Sequence, residues 1–384
     1  MSTTTETPRT GARSGRLTSG LRNLLDSAVT PLTVDDLLDH FAPLRTGAAA
    51  GLQGRIVSVE SETADAATIV IKPGRDWAGH IPGQYVRVGV DVNGIRLWRT
   101  YSLTHGPRRD GRISITVKAI PGGAVSQHLV RNARAGQMLH LAQAEGDFVL
   151  TPARAGRRQK LLLVTAGSGI TPVIGMLRNL YSRNESARDA AVAAFDIVLV
   201  HSAMKRDEVI FGAELRAHAE AGRLRLVERH TDTDGLLTIA DLEAEVADLA
   251  ERTAYACGPA GLLDTLEEFY AERRLTLHTE RFRAAVVDVE AEGGTLTFGG
   301  PSDRVVETDG SVPILDAAES AGVLMPSGCR MGICMGCVLP MTSGAVRDLR
   351  TGDLTVAVPG ETNPGGVPIQ TCISAAAGDC HIDH

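Results

Sequence analysis

Long apolar runs are missing from this sequence. No segment reaches the ~18 consecutive apolar residues of a transmembrane helix, and the first residues, MSTTTETPRTGARSGRL, lack the apolar centre of a secretory signal. We therefore expect a cytoplasmic protein. A chain of 384 residues that is 43% hydrophobic and 22% charged has ordinary globular composition, which excludes a disordered or fibrous protein. Its length favours about two or three domains.

Lysine is absent from the last quarter of the chain. Residues 284–384 contain 13 Asp and Glu against four Arg, a net charge of −9, although the whole chain carries −7. Such an acidic surface repels nucleic acid and attracts a basic protein partner. A surface that serves only solubility is the alternative.

Cysteine is scarce, but half of the six cysteines fall within PSGCRMGICMGCVLP. In a reducing compartment, clustered thiols bind metal or transfer electrons more often than they form disulfides. The spacing C-x4-C-x2-C is formed by Cys329, Cys334 and Cys337, and a distant Cys372 follows. This arrangement is typical of a plant-type [2Fe-2S] cluster. Structural zinc is the alternative, but zinc sites usually combine two close cysteine pairs, and this segment has one.

The other two cysteines, Cys257 and Cys380, are expected to be small core residues, although Cys380 competes with Cys372 for the fourth ligand position. Glycines interleave with the clustered thiols at Gly328, Gly332 and Gly336. They allow the backbone N–H groups of a wrapping loop to approach the sulfur atoms.

Residues 52–150 contain short alternating runs separated by turns, such as LQGRIVSV, ATIVIKP and QYVRVGV. This pattern predicts a small antiparallel barrel. Within it, LWRTYSL places Arg99 and Tyr101 on one face of a strand, where a guanidinium can hold a phosphate and an aromatic ring can cover a flat heterocycle. The later PGGAVSQHL opens a short helix near Ser126, whose first N–H groups suit the same phosphates.

Residues 160–283 contain apolar strands that alternate with helical stretches, which predicts a parallel α/β unit. The strand KLLLVTAG runs into GSGITP at Gly167–Pro172, where glycines let the backbone approach a pyrophosphate and Pro172 takes the first helical position. An ordinary strand-to-helix turn is the alternative for that segment alone. A second segment, CGP at Cys257–Pro259, follows a later strand.

The chain resembles the ferredoxin-NADP reductase superfamily in four short motifs. They are R-x-Y-S within LWRTYSL, PGQYV before it, PGGAVS after it and the later CGP. QTC at Gln370–Cys372 resembles the closing segment of the ferredoxins. The order flavin, nicotinamide, ferredoxin over residues 50–384 resembles reductase components of bacterial oxygenases and desaturases. More narrowly, the chain resembles actinobacterial reductases paired with fatty-acyl desaturases in CRMGICMGC, in QTCISAAAGDC and in its N-terminal extension.

The resemblance implies a multidomain fold. An N-terminal extension at 1–48, partly disordered and then helical with Thr33 as an N-cap, precedes an antiparallel FAD-binding β-barrel at 49–153. An α/β NAD(P)-binding domain with a parallel sheet follows at 154–283, and an α+β β-grasp ferredoxin domain at 284–384. We expect the extension to pack on the barrel, with membrane contact as the minor alternative.

The resemblance also implies three cofactors, FAD, NADPH or NADH, and a [2Fe-2S] cluster, and assigns residues to them. The residues implied to be catalytic are Ser102, Cys257 and Glu280. Those implied to bind the flavin are Arg99, Thr100, Tyr101, Ser102, Lys118, Gly123, Ala124, Val125, Ser126 and Phe282. Those implied to bind the nicotinamide nucleotide are Gly167, Ser168, Gly169, Thr171, Pro172, Ser202, Lys205, Arg206, Cys257, Gly258 and Pro259. The implied metal ligands are Cys329, Cys334, Cys337 and Cys372.

Two of these residues, Glu280 and Phe282, lie in LHTERFRA, which resembles the superfamily's closing strand. Plant reductases end there on an aromatic residue, whereas this chain continues into the ferredoxin module. A solvated Glu280 and a core Phe282 are the alternative. FAD rather than FMN is expected, because the helix start in GGAVS adds donors to Arg99, enough for a pyrophosphate.

The implied function is that of an oxidoreductase. Hydride from NAD(P)H carries two electrons, a [2Fe-2S] cluster accepts one, and a flavin exchanges either number, so electrons should pass through FAD and the cluster to a partner desaturase or oxygenase. Contact with a membrane would then be peripheral, through a membrane-bound partner. An NADH- and FMN-dependent reductase of the phthalate dioxygenase type, a redox sensor without sustained turnover and a zinc-stabilised structural protein are the alternatives.

The choice of nicotinamide is read from the end of the strand DIVLV. NAD enzymes usually place an acidic residue there for the ribose 2′-OH, whereas NADP enzymes place a basic or hydroxyl residue. The first positions past this strand are predicted to be His201 and Ser202, with Lys205 and Arg206 close behind and no carboxylate before Asp207. NADPH is therefore expected, unless both cations only face solvent.

Overall fold

The computed structural model describes residues 51–92, 95–153, 158–181, 185–282, 293–299, 304–328, 330–333, 335–359 and 365–384. The predicted N-terminal extension, including Thr33, and the predicted ligands Cys329 and Cys334 lie outside these residues. Three sheets follow one another along the described chain. None of the helices within the described ranges is long and apolar enough to cross a bilayer.

The first sheet is antiparallel and forms the predicted barrel. Its strands are β1 (Gln53–Ser61), β2 (Ala66–Pro73), β3 (Tyr85–Val92), β4 (Ile95–Ser102), β5 (Ile113–Lys118) and β6 (Met138–Glu145). The order is β4-β3-β6-β1-β2-β5, and a bridge between Leu103 and Ile115 joins the two ends of that order. β-branched residues such as Val86, Val88 and Ile69 fill the interior, as the alternating pattern predicts.

A short helix, α1 (Ala124–Arg131), lies between β5 and β6. It begins two residues before Ser126, where PGGAVS predicts a helix start, and it buries Val125 and Leu129. Gly123 is the N-cap, and a Cβ atom there would lie 2.5 Å from the Ser126 hydroxyl. Glycine therefore allows the tight approach into this helix.

The second sheet is parallel and five-stranded, as predicted for a nucleotide-binding unit. Its strands are β7 (Gln159–Ala166), β8 (Phe195–Ala203), β9 (Arg225–His230), β10 (Thr253–Cys257) and β11 (Leu277–Glu280). Its helices are α2 (Ile170–Leu180), α3 (Glu185–Ala194), α4 (Gly212–Glu220), α5 (Thr231–Asp234), α6 (Ile239–Glu245) and α7 (Ala260–Glu272). Successive β7 residues belong to two separate cores, with Leu161 in one and Leu162 in the other, so both faces of the sheet are covered.

The strand order β11-β10-β7-β8-β9 reverses direction between β7 and β10. In open parallel sheets, ligands bind at this switch point, beside the carboxyl ends of the strands. One detail of the prediction is wrong: α2 begins at Ile170, so Pro172 is the third helical residue. A 3-10 turn at Gly167–Gly169 leads directly into the helix, and proline is tolerated because N–H groups of the first turn lack intrahelical partners.

The third sheet is mixed and seven-stranded. Its strands are β12 (Gly294–Gly299), β13 (Arg304–Thr308), β14 (Val338–Asp348), β15 (Leu354–Ala357), β16 (Val367–Gln370), β17 (Ser374–Ala376) and β18 (Cys380–Asp383). β12 pairs with β18 in parallel, whereas β14 pairs antiparallel with its neighbours. A helix, α8 (Ile314–Ser320), buries Ile314 and Leu315 against this sheet, which confirms the predicted α+β class.

Candidate functional site

The turn after β7 and the end of β10 meet at the switch point of the parallel sheet. A Cβ atom on Gly169 would lie only 2.0 Å from the carbonyl oxygen of Cys257, so only glycine fits this approach. Thr171 is buried, and its hydroxyl donates to the carbonyl of Ser168 at 2.9 Å, which fixes the turn. The sequence-predicted turn and CGP segment are therefore adjacent.

These two segments line a cavity of about 390 Å³. Among its lining residues are Gly167, Ser168, Gly169, Gly258, Pro259 and Phe282. Gly167 has the left-handed φ of +53°, and an added Cβ there would have no atom within 4 Å, so the backbone faces open space. An exposed glycine backbone at the start of a helix suits a pyrophosphate.

Three predicted catalytic residues come together from three strands. The Ser102 hydroxyl donates to Glu280 Oε2 at 3.3 Å, and the Cys257 thiol lies 4.0 Å from the same oxygen. Burial raises the pKa of Glu280 to about 8 and that of the Cys257 thiol well above its ordinary value. Near neutral pH this cluster is therefore mainly uncharged, and it can donate hydrogen bonds.

A small cleft lies beside Glu280. Thr100 and Ser102 line it from alternate positions of β4, and Phe282 and Met331 also contribute. The Thr100 hydroxyl is buried and has no hydrogen-bond partner among the described residues. A buried polar group without a partner is costly, so this hydroxyl points to a missing polar ligand.

The other face of β4 carries Arg99 and Tyr101. The Tyr101 ring is partly buried against the barrel core. The Arg99 guanidinium donates to the Ser327 hydroxyl at 2.6 Å and to Glu319 Oε1 at 2.9 Å. These contacts differ from the expected phosphate contact, because both partners belong to the ferredoxin module.

The remaining predicted flavin contacts lie around α1 and β5. Ser126 uses its hydroxyl within the loop, since it accepts from the Ile120 N–H at 3.2 Å. Lys118 lines the cavity of about 390 Å³ beside Gly167, and its ammonium is 3.3 Å from Asp65 and 3.4 Å from Glu208. Two carboxylates therefore hold Lys118 where barrel and nucleotide unit meet.

The predicted end of the second nucleotide strand is wrong. β8 continues to Ala203, so His201 and Ser202 lie within the strand and are buried. The His201 Nδ1 atom is 2.8 Å from the Thr165 hydroxyl, and burial lowers the His201 pKa to about 4. Lys205 and Arg206 are the predicted cations that follow the strand, and Arg206 is 71% exposed.

Two further basic residues near this strand end were not predicted from the sequence. Arg216 lies 2.8 Å and His230 2.9 Å from Glu228, and Arg206 lies 3.8 Å from the same carboxylate. The parallel pairing of β8 with β9 brings Glu228 and His230 to the edge that Lys205 follows, and Arg216 reaches Glu228 from α4. The basic end of RLVERH was the signal that could have identified His230.

Two predicted cluster ligands, Cys337 and Cys372, are buried and adjacent. The Thr371 N–H and hydroxyl both donate to the Cys337 carbonyl, at 3.3 and 2.9 Å. Cys380 lies elsewhere in the module, where its thiol donates to the Ala345 carbonyl at 2.9 Å. A pair of buried cysteines at neighbouring strand ends suits a thiolate-bound cluster.

Three domain profiles match the chain in the order of its sheets. They are an oxidoreductase FAD-binding domain at residues 53–149, an oxidoreductase NAD-binding domain at 163–268 and a 2Fe-2S iron-sulfur cluster binding domain at 299–377. Each profile covers one of the sites described above. The cofactors are therefore FAD, NAD(P)H and a [2Fe-2S] cluster.

Relatives share this arrangement over most of their length. An NADPH oxidoreductase of Mycobacterium tuberculosis is 41% identical over 94% of this chain and 92% of that protein. The ferredoxin reductase component of a 3-ketosteroid-9-alpha-monooxygenase from Mycolicibacterium smegmatis is 30% identical over 77% of this chain and 87% of that protein. The solved structure of phthalate dioxygenase reductase shares the fold, with a TM-score of 0.54 and 23% identity over 86% of this chain and 97% of that one. The chain therefore belongs to the ferredoxin-NADP reductase-type flavin and [2Fe-2S] reductases, which pass electrons from NAD(P)H through FAD to an iron-sulfur cluster.

Proposed function

We propose that this protein takes hydride from NADPH and delivers single electrons to a separate oxygenase or desaturase. The observation that carries this proposal is the position of Met331, which lies between Cys329 and Cys334 in the sequence and lines the same cleft as Ser102 and Glu280. A bound flavin supplies the exchange between two-electron and one-electron steps. The relative from M. smegmatis, a component of a monooxygenase, supports an oxygenase as the acceptor.

The residues at the switch point would bind and orient the coenzyme. Gly167 and Gly169 let the backbone approach the pyrophosphate, while Thr171 and Cys257 shape the place of the nicotinamide ring. Hydride transfer needs the reacting atoms about 3 to 3.5 Å apart, which this preformed turn would enforce. Phe282 lines both the nucleotide cavity and the cleft, where it would exclude water.

The Ser102–Glu280 pair would hold a proton at the flavin edge. A carboxyl group with a pKa of about 8 is mainly protonated near neutral pH, so Glu280 can donate a hydrogen bond there. The unpartnered Thr100 hydroxyl would bind the same polar edge. Gly123, Ala124, Val125 and Ser126 would present the first N–H groups of α1 to a phosphate.

Cys329, Cys334, Cys337 and Cys372 would ligate the cluster. The burial of Cys337 and Cys372 and the contact between their strand ends support this set. The Cys380 thiol, which donates to a backbone carbonyl within the sheet, would remain a core group.

NADPH would be preferred over NADH. Lys205 and Arg206 are the first cations past β8, and Arg216, which pairs with Glu228, donates to the Arg206 carbonyl at 3.4 Å. A 2′-phosphate carries close to two negative charges, and charge-assisted hydrogen bonds of about 1.5 to 3 kcal/mol would give roughly tenfold to a hundredfold selectivity.

The acceptor would dock on the ferredoxin module. Ile333 and Met335, on either side of Cys334 in the sequence, are 62% and 64% exposed, and the module carries a net charge of −9. An apolar centre with an acidic surround suits a partner with a basic rim.

The experiment starts with anaerobic holoprotein and a di-iron oxygenase or desaturase recovered from the same cells by affinity capture. NADPH should bleach first the flavin and then the cluster absorbance, and the cluster should re-oxidise when the partner is added. A cluster that stays oxidised while the flavin is reduced would refute the electron route. A reduced cluster that the partner leaves unchanged would refute the acceptor.

A further inference from the structure

Two modules contact the flavin barrel at its fourth strand and at the loop that follows this strand. The ferredoxin module does so on β4 itself, where Ser327 forms a parallel bridge with Leu97. The nucleotide unit does so just beyond β4, where α2 lies against Leu103 and Thr104, both of which are completely buried. The contact with α2 therefore begins one residue after Ser102.

The helix α2 approaches this loop at the level of the backbone. Gly175 lies in the middle of the helix, and a Cβ atom added there would lie 2.3 Å from the carbonyl oxygen of Leu103. Gly106 of the loop faces the helix in a similar way, since its added Cβ would lie 2.4 Å from Asn179 Oδ1. Ordinary contacts begin at 3.4 Å, so a side chain at position 175 would push the helix and the barrel about 1 Å apart.

Arg178, three residues further along α2, holds the same loop by a hydrogen bond. Its Nη1 atom donates to the Thr104 carbonyl at 3.0 Å. The rest of the guanidinium is fixed within the nucleotide unit, because Nε and Nη2 donate to Glu214 at 2.9 and 2.6 Å and the group lies 4.6 Å from the centre of the Phe211 ring. The rigid planar fork of arginine donors therefore gives the bond to Thr104 a fixed direction.

The loop is also fixed on the barrel side. The Thr104 N–H donates to the Ser114 carbonyl at 2.9 Å, and the hydroxyl groups of the two residues lie 2.8 Å apart. Leu103 forms a bridge with Ile115 of β5. The contact therefore joins two well-anchored parts, and a displacement of α2 is transmitted to the barrel.

The other end of α2 carries the turn at the nucleotide cavity. The helix begins at Ile170, directly after Gly167–Gly169, and its first turn includes the buried Thr171. Gly175 lies four residues beyond Thr171, which is about 6 Å along a helix that rises about 1.5 Å per residue. One helical segment thus connects the nucleotide turn to the residues that follow Ser102.

We propose that Gly175 and Arg178, in contact with Leu103 and Thr104, form a helix–barrel contact that sets the distance between the nicotinamide and flavin sites. Both are positioning residues, since neither is among the described residues that line the nucleotide cavity or the cleft beside Glu280. The reaction that they position is the established one, the transfer of a hydride, which carries two electrons and one proton, from NAD(P)H to FAD. Because a misplacement of about 1 Å can cost roughly a hundredfold in rate, the helix–barrel contact affects the rate of transfer rather than the affinity for coenzyme.

The helix–barrel contact rests only on the established transfer from NAD(P)H to FAD. It depends neither on a preference for NADPH nor on the acceptor, because NADPH and NADH can each be used and no partner is needed. A failure of this inference and a failure of the proposed function therefore give different results.

The first test compares Gly175→Ala with Gly261→Ala. Gly261 lies in α7, where an added Cβ meets no atom within 4 Å, so both changes raise helix propensity but only Gly175→Ala disturbs the contact. In anaerobic stopped-flow measurements on the holoprotein, Gly175→Ala should slow flavin reduction at saturating coenzyme about tenfold to a hundredfold. The Kd values of NADP+ and NAD+ should stay within about twofold of the wild type, because the nucleotide turn is intact.

Gly261→Ala should match the wild type in both measurements. Equal saturating rates in all three proteins would overturn the inference. A loss confined to coenzyme affinity would also overturn it, since Gly175 would then serve the nucleotide site.

The second test compares Arg178→Gln with Arg273→Gln. Arg273 makes the same two kinds of contact, with the Phe269 ring at 3.8 Å and with Glu243 at 3.3 Å, but both partners belong to the nucleotide unit. Arg178→Gln should slow flavin reduction about tenfold, because the bond to the barrel is lost, and Arg273→Gln should match the wild type. Equal slowing in the two variants would show that the effect arises within the nucleotide unit, which contradicts the inference.

Hydrogen exchange supplies a readout that is independent of activity. The N–H groups of Leu103 and Thr104 donate to the carbonyls of Gln84 and Ser114, beneath α2. In Gly175→Ala and Arg178→Gln, the peptide that contains these two N–H groups should exchange about threefold or more faster than in the wild type, because the covering helix is displaced more often. Unchanged exchange in both variants would mean that α2 stays on the loop without these contacts, which refutes the positioning role.

Discussion

Replacing Glu280 by glutamine tests whether a protonated carboxyl group supports hydride transfer. Burial raises the pKa of Glu280 to about 8 from an ordinary value of 4.5, against the smaller opposing effect of the Ser102 hydrogen bond. At 1.36 kcal/mol per pKa unit, this burial disfavours the ionised form by about 5 kcal/mol. The carboxyl is therefore mainly protonated at pH 7, and its protonated fraction falls about tenfold by roughly pH 9.

The raised pKa also links Glu280 to stability. Because the folded pKa lies above the unfolded value, the stabilising effect of the protonated form is fully present below about pH 4.5 and is lost as the pH rises toward about 8. Glutamine cannot ionise, so Glu280→Gln should gain stability relative to the wild type across this range. The gain should level off above about pH 8.

Stopped-flow reduction of the flavin by NADPH is the assay. The wild-type rate should fall with a midpoint near pH 8, whereas Glu280→Gln, which keeps an N–H donor, should give a flat profile. Glu272→Gln, at an exposed residue of α7, is the control and should follow the wild type. If Glu280→Gln and the wild type share one pH profile, the protonated carboxyl has no part in hydride transfer.

Further predictions concern the cluster, the coenzyme and the turn after β7. Cys372→Ser should lose cluster absorbance but keep flavin reduction by NADPH, because the modules are separate sheets, while Cys380→Ser should keep the cluster. A Lys205→Ala, Arg206→Ala double variant should lower kcat/KM for NADPH about tenfold to a hundredfold and leave NADH unchanged. Gly169→Ala should lower the free energy of unfolding in urea by about 1 to 3 kcal/mol, because its Cβ would meet a backbone carbonyl.

Each of these has an outcome that contradicts it. Loss of the cluster in Cys380→Ser would reassign the fourth ligand. Unchanged NADPH kinetics in the double variant would mean that both cations only face solvent. For Gly169→Ala, the control is Gly261→Ala, because a Cβ added at Gly261 meets no atom within 4 Å. Equal free energies of unfolding for the two variants would show that the turn shifts to accommodate the added Cβ.

Local patterns predicted the fold well. The short runs ATIVIKP and QYVRVGV predicted β2 and β3, and alternate residues of each strand, Ile69 and Ile71 or Val86 and Val88, lie in the barrel core. The sequence also indicated that position 169 needs glycine; the expected reason was approach to a pyrophosphate, and the structure shows an approach to the carbonyl of Cys257. The strand pattern repeats along one segment, and the need for glycine follows from the size of one side chain, so both are visible in the local sequence.

The wrong end of β8, and the contacts of Arg99 that were not predicted, arose where distant residues decide the structure. β8 continues through His201 because Thr165 on the neighbouring strand provides a partner for a buried imidazole. Arg99 bonds to side chains 220 and 228 positions away, and no spacing within LWRTYSL indicates them. The positions of strand ends and the partners of charged groups depend on contacts with residues far away in the sequence, which local pattern does not encode.

The bridge between Leu97 and Ser327 has a consequence for the solubility of the flavin barrel. β4 stands at one end of the barrel order and is bridged to the other end at Leu103, beyond its last residue, and unpaired N–H groups elsewhere along such a strand are templates for pairing with another chain. Ser327 covers the Trp98 N–H, so the ferredoxin module shields this edge as well as carrying electrons. A chain cut after the nucleotide-binding unit would expose that N–H, and copies of the truncated protein would be free to join edge to edge into oligomers.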